Sequence, residues 1–402
     1  MGMKEEKIIQ PNSITALELV NLVPASKLKA LALELQVDKH VSKLKGSIMF
    51  KLVLFSILDK ERLSLRVMES ALESRLFKLF EIDSPDGIAH SAIQQRLIKM
   101  EAKFFKSIHT YLYKKLRKQY SVKQLEGYHI KRYDSTMVAT FSHLLKGMKV
   151  GNTSKNKTQA KFTTELEDDF LIRVRFHTDQ AHLSEETALR EAIQLGSHSF
   201  EDLVVFDRGL KSRKTFVSFD ENNTNFVTRL TDNPKFETVS EHSSVIGLET
   251  DKLVFVKDSV VRLFGDKGKL VDHEFRLIET VSKKTNQKIF FLTNIKDEPA
   301  EFITKVYLHR WDIEVLFRFL KQEMNLTHFV CNDSNAIESM IYMTLIASML
   351  VLAYKNHNGI KSYKIAKIQF FKELLADSIV ELLEMPDGKE LVKKLLQKHV
   401  HK

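Results

Sequence analysis

Cysteine is almost absent: Cys331 stands alone in 402 residues. One thiol excludes an intrachain disulfide and any zinc site built on several thiolates, and it suits a reducing, cytoplasmic setting. Long apolar runs are missing too. The longest uncharged stretch, Ser339 to Tyr354, is short of the ~20 apolar residues a bilayer span needs, so it reads as a buried helix and no membrane is expected. The opening MGMKEEKIIQ has no apolar core of the secretory-leader type. No G-x4-G-K-[ST] loop occurs, which excludes NTP hydrolysis of that type; GDKGK has the wrong spacing and lies between strands. HExxH and G-x-S-x-G are missing, and the fifteen histidines do not fall at zinc-ligand spacing. No internal repeat or low-complexity tract occurs.

What is present suits a globular protein with a polyanionic partner. Hydrophobic residues make up 43% of the chain, and 62 Lys and Arg against 52 Asp and Glu give a net charge of +10. The length allows two or three domains with proper cores, and the positive balance fits a nucleic acid.

Residues 1–120 read as helical, over Ile14–Leu22, Ala25–Leu35, Val41–Leu58 and Leu63–Phe80. A turn at Asp83–Gly87 follows. Ser91 and Gln94 then suit a capping box opening one long helix to about Tyr120. Gln94, Gln95, Arg96 and Lys99 fall in its first turns, where a recognition helix meets base edges; a bundle whose polar face meets water fits equally well. From 127 to 230 strands and helices alternate. Strands are predicted at Tyr128–Tyr133, Met137–Phe141, Leu171–Phe176, Leu203–Phe206 and Asn225–Leu230, and a helix capped by Ser184 runs to Leu195. The segment KGMKVGNTSKNKTQAKF carries Lys146, Lys149, Lys155, Lys157 and Lys161 and no acid. It reads as a loop or irregular hairpin, either solvated or tracking a phosphate backbone. From 231 to 290 strands are broken by hairpin signals, and after Asn325 helices run to a basic tail.

Three acids stand out. In GYHIKRYDST the strand is expected to end at Asp134, and in DLVVFDRGL the apolar run stops at Asp207 and turns through Gly209. Strand ends are where open α/β sheets place ligands, although an isolated aspartate there also suits a turn or cap. The third is Glu314. From Val306 to Leu326 there is no Pro or Gly, which predicts one helix. At ~100° per residue, Tyr307, Arg310, Glu314 and Lys321 then share roughly 60° of arc, with Trp311 and Phe317 edging the stripe. Such a face can hold a metal through its acid and phosphates through its cations. It also suits a solvated face with an i,i+4 ion pair. Two aspartates and a glutamate together are hard oxygen donors of the kind Mg²⁺ or Mn²⁺ takes.

The spacing Tyr-x2-Arg-x3-Glu-x6-Lys at Tyr307, Arg310, Glu314 and Lys321 resembles the YREK signature of bacterial insertion-sequence DDE transposases, in the family named after insertion sequence four. DST at Asp134, DRG at Asp207, LTN at Leu292–Asn294 and SNAIESMIYMTLIASML after the signature are similar to the same family, over about 130–350. The resemblance implies an α/β fold: an RNase H-like core of mixed sheet and flanking helices over 121–330, with an all-β insertion at about 231–290. An N-terminal helical DNA-binding domain (1–120) and a C-terminal helical region (331–402) would flank it. It implies a transposase in which Asp134, Asp207 and Glu314 hold two Mg²⁺ ions, with Mn²⁺ as substitute, for cleavage at transposon ends and 3′-OH transfer into target DNA. Tyr307, Arg310 and Lys321 would hold phosphates, with Arg208, Trp311, Lys155, Lys157 and Lys161 as further DNA contacts. Double-stranded DNA, as terminal inverted repeats and target, and a homodimer in the synaptic complex are the implied partners, in the bacterial cytoplasm and on the nucleoid. A non-catalytic regulator derived from a transposase, or a nuclease that never joins strands, are the alternatives.

Overall fold

A computed structural model describes residues 14–119, 127–140, 148–149, 158–167, 170–177, 180–242, 245, 247–265, 268–326, 329–331 and 333–397. The chain divides into two compact units, residues 1–120 with 318–402, and residues 121–317.

The first unit is helical. It contains α1 (Ala16–Asn21), α2 (Ala25–Glu34), α3 (Gly46–Asp59), α4 (Leu65–Glu73), α5 (Arg75–Phe80), α6 (His90–Lys99) and α7 (Lys103–Gln119), with three C-terminal helices described below. Thr15 and Glu18 form a reciprocal capping box on α1. The stretch expected to be one helix from Leu63 to Phe80 is split at Ser74, whose hydroxyl accepts from Phe77 N–H and so starts α5. The long helix expected from Ser91 to Tyr120 is also two helices. α6 has Ala89 at its N-cap with no side-chain cap bond, so the Ser91–Gln94 box does not form, and the chain turns extended at Met100. A distant side chain makes that break. Asn335 accepts from Ala102 N–H at 2.9 Å and donates to the carbonyls of Leu97, Ile98 and Met100, at 2.7 Å for the last. These groups leave the helical ladder because one amide satisfies them all. Arg96 is not a free recognition residue: it is buried, donating to Leu44 O at 2.7 Å and to Asp38 Oδ1 at 2.9 Å. Desolvation holds its pKa below the usual arginine value, partly countered by Asp38.

In the second unit the strands are β1 (His129–Thr140), β2 (Met148–Lys149), β3 (Thr158–Glu167), β4 (Phe170–His177), β5 (Asp202–Phe206), β6 (Asn225–Arg229), β7 (Phe236–His242), β8 (Leu253–Phe264), β9 (Leu270–Ser282) and β10 (Lys288–Thr293). They form one sheet in the order β2-β3-β1-β5-β6-β10-β9-β8-β7, with β4 also paired to β3. β1, β5 and β6 are parallel neighbours, while β3 and β4 are antiparallel. The run β4-β3-β1-β5-β6 is the RNase H-like order. The β-rich segment after β6 does not stand apart from it. β10 pairs with β6 through Phe291↔Arg229, Leu292↔Thr228 and Thr293↔Val227, and β9, β8 and β7 extend the same sheet.

Helices α8 (Glu185–Gln194) and α9 (Arg213–Glu221) pack in this unit, followed by α10 (Ala300–Leu308); α11 (Trp311–Gln322) starts here and ends among the residues of the helical unit. Period-2 alternation sorts the core into two layers. Tyr133, Val204, Phe206 and Phe226 pack with Leu189 and Ile193 of α8 and Phe216 and Phe219 of α9. Ile130, Leu203, Val205 and Val227 pack with Phe302, Ile303 and Val306 of α10.

Two strand expectations change. Asp134 is not at a strand end, because β1 runs through it to Thr140 and joins the two strands predicted there. Residues 158–167, expected to be partly loop, are strand β3, a segment too polar for its sequence to announce burial: Lys161 is 4% exposed and Glu165 2%. In the helical unit, α12 (Ser334–His357) is buried from Ala336 to Tyr354 apart from Glu338, followed by α13 (Tyr363–Glu384) and α14 (Gly388–Gln397). α12 is long and apolar enough to cross a membrane by composition, but 94% of its most apolar window is buried inside the protein.

Candidate active site

Register brings the two aspartates together. The parallel β1–β5 pairing ends at Tyr133↔Phe206, so the next residues, Asp134 and Asp207, stand side by side where the two strands part. Alternation turns both away from the Tyr133–Phe206 layer, toward α10 and α11. Asp134 is 8% exposed, and its Oδ1 accepts from Ser135 N–H at 2.7 Å. Asp207 Oδ1 accepts from Gly209 N–H at 2.6 Å, closing the tight turn of DRG.

The expected single helix from Val306 to Leu326 is broken at His309–Arg310. Neither Pro nor Gly causes this. Arg132, 5% exposed on β1, donates to His309 O at 3.3 Å and to Asp312 Oδ2 at 2.9 Å. Asp312 also meets His309 Nδ1 at 3.3 Å. The captured carbonyl leaves the helical ladder, and the turn closes through i→i+3 bonds, Arg310 N to Tyr307 O and Ile313 N to Arg310 O. The turn swings Arg310 inward. Its Nη1 is 3.8 Å from Asp134 Oδ2 and 3.8 Å from Asp207 Oδ2, and its Nη2 donates to Glu314 Oε1 at 2.6 Å. One guanidinium therefore touches all three predicted acids.

Tyr307, 9% exposed, lies beneath Arg310, with the guanidinium 5.8 Å from its ring centroid and Phe291 packed against its edge at 5.4 Å. Motif LTN supports the strand beside it. Thr293 Oγ1 donates to Phe226 O at 2.6 Å, and Asn294 accepts from Phe226 N–H at 2.9 Å.

The electrostatics follow from burial. Desolvation pushes the Asp134 carboxyl up to about 7; Ser135 N–H and Arg310 work against that rise, and Asp207 and Glu185 add to it. Burial opposes the charge on Arg310, but Tyr307, Glu314 and Asp207 outweigh it and leave the guanidinium more firmly protonated than usual. Burial raises Tyr307 as well. Glu185, at the start of α8, is the acid that sequence reasoning missed. It is half-buried, its pKa raised by desolvation and then by Asp207. In the sequence it looked like an ordinary first-turn acid after the Ser184 cap. Arg132 was missed too, since nothing local marks a strand arginine as a helix breaker.

The remaining predicted residues are dispersed. Arg208 is exposed, and Trp311 is 54% exposed at the start of α11. Lys321 lies seven residues beyond Glu314, in the part of α11 counted with the helical unit. Lys161 departs from its expected place in a DNA-contacting loop: it is buried on β3 and donates to Leu183 O at 2.6 Å. Lys155 and Lys157 lie outside the described residues.

Among the described residues no three acidic, His or Cys side chains converge closely enough to hold a metal as they stand. Arg310 occupies the middle of the acids instead. The donor set nevertheless fits a hard divalent cation, since carboxylate oxygens surround a point where a positive charge already stands.

Residues 129–350, more than half of the chain, match the family described as transposase DDE domain. A Synechocystis protein named as a transposase for insertion sequence element IS4SA is 24% identical over 301 residues, covering 73% of this chain and 78% of that protein. A Sinorhizobium fredii protein named as a transposase is 29% identical over 147 residues, 37% of this chain and 41% of its own length. One from Geobacillus stearothermophilus, named as a transposase for insertion sequence element IS5377, is 26% identical over 174 residues, 42% and 45% of the two chains. The alignments thus span less than half the length of these last two relatives. Among solved structures, the piggyBac transposase synaptic complex with hairpin DNA aligns at a TM-score of 0.49 and 11% identity, over 98% of this chain and 87% of that one. The family match takes in β1, β5, α10 and α11 with Asp134, Asp207 and Glu314, and on that match the chain belongs to the DDE transposase family.

Proposed function

We propose that this DDE transposase cuts DNA at the ends of its mobile element and joins the freed 3′-OH to target DNA. The observation that carries the reading is the meeting of Asp134, Asp207 and Glu314, from three separate elements, around the single cation of Arg310. Asp134, Asp207 and Glu314 would hold two Mg²⁺ or Mn²⁺ ions, which activate the attacking oxygen and steady the leaving one when bound. Water attacks the phosphodiester at the element end, and the P–O3′ bond breaks to leave a 3′-OH. That hydroxyl then attacks a second phosphodiester, so each joining step makes one such bond as it breaks another and needs no NTP.

Arg310, Tyr307 and Lys321 are assigned to the phosphates next to the cut. Arg310 is the donor that reaches them and Tyr307 is the shelf that holds it. Arg208 and Trp311 are exposed and suit further DNA contact, as do Lys155 and Lys157. The helical unit is assigned to DNA binding. Lys27, Lys103, Lys106 and Lys114 line a cleft there of ≈ 800 Å³, a better footprint for a phosphate backbone than the buried Arg96. Two copies synapse the two ends.

The test uses labelled element ends in Mg²⁺. Asp134→Asn, Asp207→Asn and Glu314→Gln should each abolish strand cleavage while leaving end binding near wild type. Near-normal cleavage by any one of them would remove that residue from the centre. Wild-type protein that binds the ends without nicking would be a regulator, and one that nicks without joining a nuclease. Mixing wild-type and Glu314→Gln protein on DNA carrying both ends should accumulate single-end cuts; independent cutting at the two ends would sink the dimer.

A further inference from the structure

We propose that Glu185 is a fourth carboxylate of this centre, a ligand with Asp207 and Asp134 for one divalent cation. The inference rests on the metal-dependent reading above and names a donor outside the three acids of the motif.

The geometry begins at Gly209. A Cβ built on that residue would lie 2.7 Å from both Cδ and Oε2 of Glu185 and 2.9 Å from its Cγ. The Glu185 carboxylate therefore sits directly over the backbone of the DRG turn. The N–H of that same glycine is bonded at 2.6 Å by Asp207 Oδ1. One residue without a side chain is thus flanked by two carboxylates, and any side chain at 209 would displace one of them. The charge of Glu185 reaches Asp207 and also Asp134.

Glu185 is held there by its helix. It is the first residue of the ten-residue α8, behind the Ser184 cap, where unpaired backbone N–H groups favour a carboxylate. α8 packs on β1 and β3, the layer opposite α10 and α11. The acids thus arrive from three directions: Asp134 and Asp207 from the sheet, Glu314 from one helical layer and Glu185 from the other. Lys161 donates to Leu183 O, and its charge, with those of Arg310 and Lys211, only partly offsets the burial and the Asp207 charge that raise Glu185. A carboxylate held over the turn that carries Asp207, with its charge only partly offset, is a donor arranged for a cation. Ordinary helix-capping accounts for its charge but not for its position over Gly209.

The test measures metal binding rather than catalysis. Mn²⁺ is titrated into the full-length protein without DNA and read by electron paramagnetic resonance and calorimetry. Wild type, Asp207→Asn, Glu185→Gln, Glu185→Asp and Glu186→Gln are compared, with metal-free melting as the check on folding. Asp207→Asn and Glu185→Gln should each weaken Mn²⁺ binding by at least about tenfold, and Glu186→Gln should leave it unchanged. Glu185→Asp keeps the charge at the helix end but withdraws it by one methylene, so it should also bind more weakly. It carries the test if the Gln variant does not fold. Loss in Asp207→Asn with none in Glu185→Gln would overturn the role of Glu185 and leave the metal centre standing. Retention in Glu185→Asp would overturn ligation, since it would mean that charge alone suffices. Equal Mn²⁺ binding by wild type and Asp207→Asn would overturn the metal centre, and this inference with it.

Discussion

Asp134→Asn should stabilise the metal-free protein, and by an amount that depends on pH. The wild-type carboxyl ordinarily titrates near 3.8 and here titrates at about 7, chiefly because it is buried. Each pH unit between those limits is worth 1.36 kcal/mol, so holding the ionised side chain in the fold at alkaline pH costs roughly 4 kcal/mol. Asparagine keeps an Oδ1 for Ser135 N–H and carries no charge to desolvate. It forfeits the 3.8 Å contact with Arg310, whose attraction already lies within that balance. The sign follows from linkage. The folded-state pKa is raised, so wild-type stability is complete below about 3.8 and declines as pH rises through about 7. The variant lacks that decline. In EDTA it should therefore match wild type near pH 4 and exceed it by roughly 2–4 kcal/mol at pH 8 and above. Urea unfolding followed by circular dichroism across pH 4–9 measures the gap. Saturating Mg²⁺ should narrow it at pH 8, because a cation bound to the folded wild type stabilises that protein selectively. A variant no more stable than wild type at pH 8, or an advantage that grows as pH falls, would refute the account of Asp134 as a desolvated carboxylate.

Two further outcomes are expected. Lys161→Met should reduce stability without changing the slope of log affinity for DNA against log salt, since the lysine is buried on a carbonyl and releases no counterion; a shallower slope would return it to the DNA surface. Arg276 bonds the fully buried Asp258 through Nε and Nη2 and holds the carbonyls of Lys296 and Glu298 through Nη1. Arg276→Gln should cost about 3–5 kcal/mol by leaving a buried charge unpaired, and Asp258→Asn in the same chain should recover part of it; a melting curve like wild type would show that the pair is dispensable.

Local pattern carried the reading of the sheet far. The run LVFVKDSVVRLF coincides with β8, and the apolar stretch ending at Phe206 with β5, because each alternates or is apolar throughout and is bounded by turn residues. Asp207 was legible because it closes such a run, whereas Asp134 lies within β1 and Glu314 within α11, and each stood out only by its motif. Breaks made by one distant side chain were not. The α6–α7 interruption is written in Asn335 and the α10–α11 interruption in Arg132, both far away in sequence, and the local stretches read as continuous helix. β3 was hidden by its charges, which only the folded neighbours bury. Glu185 was visible as a helix-capping acid, but its place over Gly209 depends on two elements docking.

The continuity of the sheet across β10 has a consequence for how the protein reaches its native state. β8 and β9 can zip as a local hairpin, whereas β10 must find β6 across ~60 intervening residues, a closure slow to form. α10 and α11 follow β10 in the chain and α10 packs on β5, β6 and β10 together, so the docking that brings Arg310 to the aspartates is complete when that distant pairing is made. Until then, β1 and β5 can align Asp134 and Asp207 side by side with no positive charge between them, an arrangement that like-charge repulsion disfavours. Completion of the sheet and neutralisation of the acids are therefore one cooperative event, and errors in the β8–β9 hairpin are felt at carboxylates far from it in the chain.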